Sequence, residues 1–214
     1  MNGKDLIDSI HNLYQETQTN KRIGKRIFRG TGGSIATQAE DLFALWLDSN
    51  ISDKSLKILV NTRISLDKPG APGGRKKPKM LYFKPDICVI DSRGTVRLLC
   101  ELKMDMGYVR DFTDYAWKRS KELDPYKGGS AHFMMEDKEQ PVFFPETIIW
   151  HYIVFSEKNI GTEKRKKIEQ AFREQNAKGR LFILSRGEHL NKLKAKYLVD
   201  NVTFEALEKI TRSL

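Results

Sequence analysis

Residues 85–103, PDICVIDSRGTVRLLCELK, constrain this chain more than any other stretch. Two short runs rich in apolar residues flank Asp91-Ser92-Arg93-Gly94, a set of residues that favours a tight turn. The pattern predicts a hairpin with strands over about 81–91 and 95–103. Asp86, Glu101 and Lys103 fall at the ends away from the turn. Two carboxylates and an ammonium group on apolar strands are costly to desolvate unless something pairs them. A divalent cation would pair the carboxylates, and a phosphate with a water would occupy the lysine.

Strand alternation puts Glu101 and Lys103 on one face with Leu99 and Arg97. If Asp91 sits opposite Gly94, Asp86 lies opposite Leu99 and is the diagonal neighbour of Glu101, within about 7–8 Å. A register slip of one residue would send Asp86 to the other face and dissolve the site. Asp86, Glu101 and the carbonyl of Leu102 offer three hard oxygen ligands, which suit Mg²⁺, with Mn²⁺ as a substitute. Such an ion polarises a phosphoryl oxygen and lowers the pKa of an attacking water. Lys103 then has three possible roles: to orient that water, to accept its proton, or to stabilise charge at phosphorus.

A phosphate-bearing partner agrees with the charge of the chain. Its 214 residues carry 38 Lys and Arg against 28 Asp and Glu, a net charge of +10. The excess is clustered: Lys21, Arg22, Lys25, Arg26 and Arg29 stand together without an acid. Arg63, Lys68, Arg75, Lys76, Lys77 and Lys79 face Asp67 alone. Solubility needs only a mixed surface, so clustering argues for a polyanion. Arg26, Arg29, Lys68, Arg75, Lys76, Lys77 and Lys79 are the candidate nucleic-acid contacts, and double-stranded DNA is the expected partner. Cys88 and Cys100 lie inside apolar runs and read as small core residues of a reducing compartment. The four histidines are scattered without a zinc spacing. His151, inside an apolar run, reads as a core histidine. No apolar run is long enough for a membrane span, and no signal-peptide pattern opens the chain. A soluble cytoplasmic protein is expected.

The remaining elements follow from periodicity. Helices are expected at 4–17 and at 35–48, the second capped by Ser34 and turning Ala39, Leu42, Phe43 and Trp46 inward. A strand is expected near 56–63, a Pro/Gly/Lys loop at 66–79 and a helix at 107–123. Residues 124–147 read as irregular. The apolar run 148–155 reads as a strand covered on both faces. A charged helix (162–177), a strand (180–185) and helical turns (187–194, 203–213) complete the chain. This order predicts an α/β fold: one domain over 1–214, with an N-terminal helical region 1–34, a core about 35–185 and a C-terminal helical extension 186–214. Its mixed central sheet should have about five strands with helices on both faces.

The PD of Pro85-Asp86 followed by the ELK of Glu101-Leu102-Lys103, on a hairpin flanked by helices, resembles the PD-(D/E)xK nuclease superfamily. The resemblance covers about residues 35–185 and, outside PD and ELK, rests on element order. It implies the restriction-endonuclease-like fold, Asp86 and Glu101 as metal ligands and Lys103 as the catalytic lysine. Many members add an acid from the helix before the sheet; Glu40 matches that place, with Asp41 as the fallback. Some exonuclease-like members carry a glutamine and a tyrosine on the helix after the lysine. This chain offers Tyr108, Asp111 and Tyr115 there but no glutamine, which favours an endonuclease. A type II restriction endonuclease is the leading expectation, with a homodimer as the option that analogy with restriction-like readers of palindromes raises. A repair, recombination or mobile-element nuclease of the same fold and a catalytically idle DNA-binding module are the alternatives.

Overall fold

The computed structural model describes residues 1–15, 27–29, 35–66, 82–108, 111–135, 138–190, 192 and 195–214, with backbone alone at 15, 27–29 and 108. In chain order the elements are α1 (Gly3–Gln15), β1 (Ile27–Arg29), α2 (Ile35–Asn50), β2 (Lys57–Val60), β3 (Ile64–Leu66), β4 (Tyr82–Phe83), β5 (Ile87–Ile90) and β6 (Val96–Asp105). Then follow α3 (Phe112–Leu123), β7 (Ser130–Met135), β8 (Lys138–Phe143), β9 (Trp150–Ser156), α4 (Thr162–Glu174), β10 (Gly179–Ile183), β11 (Ser185–Gly187), β12 (Tyr197–Val199) and α5 (Asn201–Arg212).

The architecture is α/β. A mixed six-stranded sheet has the order β1-β2-β5-β6-β9-β10, one strand more than expected, because β1 forms within the basic segment 21–30. β5 runs antiparallel to both neighbours, whereas β1/β2, β6/β9 and β9/β10 are parallel. Every residue of β9 is buried, as a run so apolar requires at the centre of a sheet covered on both faces. One face packs on α1, α2 and α5 through Leu6, Ile10, Phe43, Trp46, Phe204 and Leu207. The other packs on α3 and α4 through Phe112, Ala116, Ile168 and Phe172. Asp111 caps α3 by accepting from the Asp114 N–H at 3.0 Å, which starts that helix five residues later than its periodicity suggested. Among the described residues no helix is long and apolar enough to cross a membrane.

Four expectations are corrected. The strand expected at 56–63 stops at Val60, because Asn61 adopts φ +54° and turns the chain; β3 then joins a different sheet. The strand expected at 81–91 breaks at Pro85-Asp86 into β4 and β5, since proline has no N–H for a ladder. Residues 124–147 are not irregular: β7 and β8 form a hairpin that builds a four-stranded antiparallel sheet, β4-β3-β7-β8. Its buried residues Ile64, Phe83, Ala131, Phe133 and Val142 join the core around α3. The turns expected at 187–194 are not a helix among the described residues; β11 pairs with β12 instead. Ser34 lies outside the described residues.

Candidate active site

The hairpin register decides whether the acids meet. Asp91 N–H donates to the Thr95 carbonyl and Gly94 N–H to the Asp91 carbonyl, each at 3.0 Å. The loop is therefore one residue longer than expected, with Gly94 at φ +80°, where a Cβ would lie 2.6 Å from the Pro141 carbonyl oxygen. A bulge then falls between the pairs Ile90↔Val96 and Val89↔Leu98, leaving Arg97 unpaired. Each irregularity moves the register by one residue, and together they restore the parity of the faces. The ladder continues Cys88↔Leu99 and Ile87↔Cys100, so the next step sets Asp86 across from Glu101 rather than from Leu99. Carried one step further, this register makes Asp86 and Glu101 direct neighbours instead of diagonal ones.

β6 has ten residues and β5 four, so β6 outruns its partner where Asp86 enters. The exposed end of the ladder is closed by a side chain: Asp86 Oδ2 accepts from the Leu102 N–H at 2.7 Å. In a strand, the N–H and C=O of one residue project to the same side, so the Leu102 carbonyl faces the same gap. A cleft of about 510 Å³ opens there. Asp86, Leu102, Lys103 and Asp105 line it together with Glu40 of α2, Tyr14 of α1, Asn159 and His189. Glu40 is buried and accepts from the Asn61 side-chain amide, while Asn61 N–H donates to the Asp86 carbonyl at 2.8 Å. Glu40 and Asp86 are thus tied through one residue. Asp41 is also buried but is not among the cleft-lining residues described, so Glu40 is the acid of α2 that reaches the cleft.

Glu101 turns the other way, toward α3. Its Oε1 accepts from Lys103 Nζ at 2.6 Å and from the Tyr115 hydroxyl, and its Oε2 from Arg119 Nη2 at 3.0 Å. Arg119 also donates to the Lys84 carbonyl and to Glu122, and its guanidinium lies over Trp150, 4.8 Å from the ring centroid. Burial pushes the Glu101 pKa up, but Lys103 and Arg119 outweigh it and hold the carboxyl below its ordinary value. Burial likewise works against the Lys103 ammonium, yet Glu101, Tyr115 and Asp86 keep its pKa above that of an ordinary lysine. Asp86 has the opposite fate. Burial and then the charge of Glu101 push its pKa up to about 7, against the pull of Lys103, the Leu102 N–H and Arg119.

The donors around the cleft fit a hard divalent cation. They are carboxylate and carbonyl oxygens, and one of the carboxylates is hard to ionise because of its burial and the neighbouring Glu101 charge, which a cation would offset. Among the described residues, no group of three or more His, Cys, Asp or Glu side chains is already drawn together as a ligand set. Both Glu101 oxygens are bonded to Lys103, Tyr115 and Arg119, and a cation would have to draw Oε1 away from Lys103.

Of the candidate nucleic-acid contacts, Arg26, Lys68, Arg75, Lys76, Lys77 and Lys79 lie outside the described residues, as does the side chain of Arg29 in β1. Of the α3-region residues weighed beside the missing glutamine, Tyr115 touches Glu101, Asp111 is the helix cap, and Tyr108 is described by its backbone only. His151 is buried against Phe182, ring centroids 5.8 Å apart, and takes no part in the cleft. Cys88 and Cys100 are buried free thiols. Sequence reasoning missed Asn61, Arg119 and the Asp105–His189 pair, whose atoms approach to 3.3 Å. Only Asn61 left a signal, as an asparagine directly after a strand, a residue type that tolerates positive φ. No protein-family model, curated protein or solved structure matches this chain.

Proposed function

We propose that the protein is a Mg²⁺-dependent endonuclease that hydrolyses phosphodiester bonds of DNA, with a restriction-endonuclease-like core. The observation that carries this reading is the gathering of Asp86, Lys103 and Glu101 at the end of the β5–β6 hairpin: Asp86 and Lys103 line an open cleft, Asp86 accepts from the Leu102 N–H, and Lys103 is bonded to Glu101. A bound Mg²⁺ or Mn²⁺ would supply charge to polarise a phosphoryl oxygen and to acidify a water. Asp86, Glu101 and the Leu102 carbonyl would hold it, and Glu40, positioned by Asn61, would hold it directly or through a water. Lys103, kept as an ammonium ion by its surroundings, would stabilise charge developing on the phosphate oxygens rather than accept a proton. Tyr115 and Arg119 fix the Glu101 carboxylate from α3 and keep its charge compensated. The net charge of +10 suits a polyanionic substrate.

One observation favours a second reading, a DNA-binding module without catalysis: both Glu101 oxygens are already bonded to protein donors. One experiment separates the two. The protein is incubated with plasmid and phage DNA in Mg²⁺ or in EDTA and the products are run on a gel. Discrete bands in Mg²⁺ alone support a sequence-specific endonuclease, of restriction type or of the repair, recombination or mobile-element kind. A smear supports a non-specific one. Intact DNA that is shifted in the gel supports the binding module and refutes the nuclease.

A further inference from the structure

The second sheet has an outer face that the cleavage site does not use. Its strands alternate cleanly: Ile64, Phe83 and Phe133 enter the core, while Ser65, Tyr82 and His132 form one outward row. One step along the same register, Arg63 falls beside Met134, and Phe143 lies on the same face opposite Ser130. The solvent side of an antiparallel sheet is ordinarily polar. Here Tyr82 is 56% exposed, Met134 60% and Phe143 42%, three of the six large hydrophobic residues exposed among the described residues.

Tyr82 and Arg63 are organised. The Arg63 guanidinium carbon lies 3.7 Å from the centroid of the Tyr82 ring, so one face of the ring is capped by a cation. Beside that contact Tyr82 remains more than half exposed. Arg63 meets no carboxylate among the described residues, and its charge is available to a phosphate. The pair also adjoins the cleft by chain. Asn61, which bonds both Glu40 and Asp86, is two residues before Arg63. Tyr82 is four residues before Asp86, about 14 Å of extended chain at most.

We infer that this face is a stacking platform for a single-stranded nucleic acid, with Tyr82 as the ring on which an unpaired base stacks and Arg63 as ring clamp and phosphate contact. The ring needs an unpaired base because both faces of a base inside a duplex are already stacked on its neighbours. An aromatic face accepts any base, so the platform selects strandedness and not sequence. A substrate that used both sites would carry a single-stranded stretch, such as an overhang, flap or bubble, beside the bond that is cut. That last step rests on the nuclease reading; the platform itself is testable without it.

The test uses the full chain in EDTA, so that no hydrolysis intervenes. A fluorescent oligothymidylate of about 16 nucleotides and a duplex of the same length are titrated by anisotropy. Tyr82→Ala should weaken binding of the oligothymidylate about tenfold and leave the duplex unaffected. Tyr82→Leu, which keeps apolar bulk without a ring, should fail in the same way, and Tyr82→Phe should bind like the parent. Arg63→Gln should make the log–log salt slope on the oligothymidylate shallower by about 0.7. The inference is overturned if the parent does not bind the oligothymidylate, if Tyr82→Ala binds it as the parent does, or if that variant loses both nucleic acids equally. Matching melting curves confirm that the variants are folded. A parent that binds oligothymidylate through Tyr82 but cuts no DNA in Mg²⁺ would refute the nuclease and leave the platform standing.

Discussion

Asp86→Asn should make the protein more stable while removing its response to magnesium. Asp86 has a carboxyl whose pKa moves from 3.8 up to about 7 on folding, through burial and the neighbouring Glu101 charge. The folded state therefore holds a proton that the unfolded chain releases. Stability from this group is present below pH 3.8, is lost as pH rises, and is gone above about pH 7. Ionising such a carboxyl inside the fold costs about 4 kcal/mol. Water in the cleft screens part of this, and a cost of about 2 kcal/mol is expected. Asparagine resembles the protonated acid and can still accept from the Leu102 N–H. In EDTA near pH 8, Asp86→Asn should melt about 4–8 °C above the parent, and the gap should close near pH 4. Mg²⁺ at about a hundred times its dissociation constant should stabilise the parent by about 2.7 kcal/mol. The variant should gain almost nothing, because a neutral amide is a poor ligand for this ion. Melting curves across pH, with Mg²⁺ or EDTA, test both halves. A variant no more stable than the parent at pH 8, or one that Mg²⁺ stabilises as much, would refute the reasoning.

Four other outcomes are expected. Lys103→Ala should slow single-turnover cleavage by at least about a hundredfold while gel shifts show unchanged DNA affinity; full activity in a folded variant would mean the hairpin is misread. Glu40→Gln should give a smaller loss than Asp86→Asn in the same assay, since Glu40, held by Asn61, would be an auxiliary ligand beside the hairpin carboxylates. Arg119→Met leaves Glu101 short of a buried partner and should cost about 3 kcal/mol in a denaturant titration; an unchanged midpoint would show that Lys103 and Tyr115 suffice. Burial and the nearby Arg180 depress the His151 pKa from 6.5 to about 4, so the unfolded chain takes up the proton first and stability falls as pH drops between those values. Over that window the parent should lose about 3 kcal/mol relative to His151→Leu, and parallel pH profiles of the two proteins would contradict this.

Much of the molecule was legible from local patterns. The α2 and α5 helices, the covered strand β9 and the hairpin all declared themselves through periodicity, and β9 is buried throughout as a continuous apolar run implies. The hairpin β7–β8 stayed hidden because its apolar residues do not alternate and lie in a stretch that includes Pro141 and several charges. Proline signals a loop unless the strand is known to be at an edge, and β8 is an edge strand only because of how the second sheet assembles. β3 and β4 were hidden in turn, since each is too short to show a period and both depend on β7 for a partner.

The candidate site divides along the same line. The types and spacing of Asp86, Glu101 and Lys103 were determined by the sequence, because strand alternation is a property of the backbone alone. Their meeting was not, since it depended on the sum of two irregularities. A longer loop at Gly94 or a bulge at Arg97, taken singly, would have parted the acids; together they aligned Asp86 with Glu101. Which way Glu101 turns was decided by Tyr115 and Arg119 on a helix that follows in the chain and packs over the same face. The charge states followed from that packing, because desolvation and Coulomb forces depend on distance in space. Tertiary structure alone brought Asn61, Arg119 and the Tyr82–Arg63 pair to the places where they can act, as each contact joins residues that no local pattern relates.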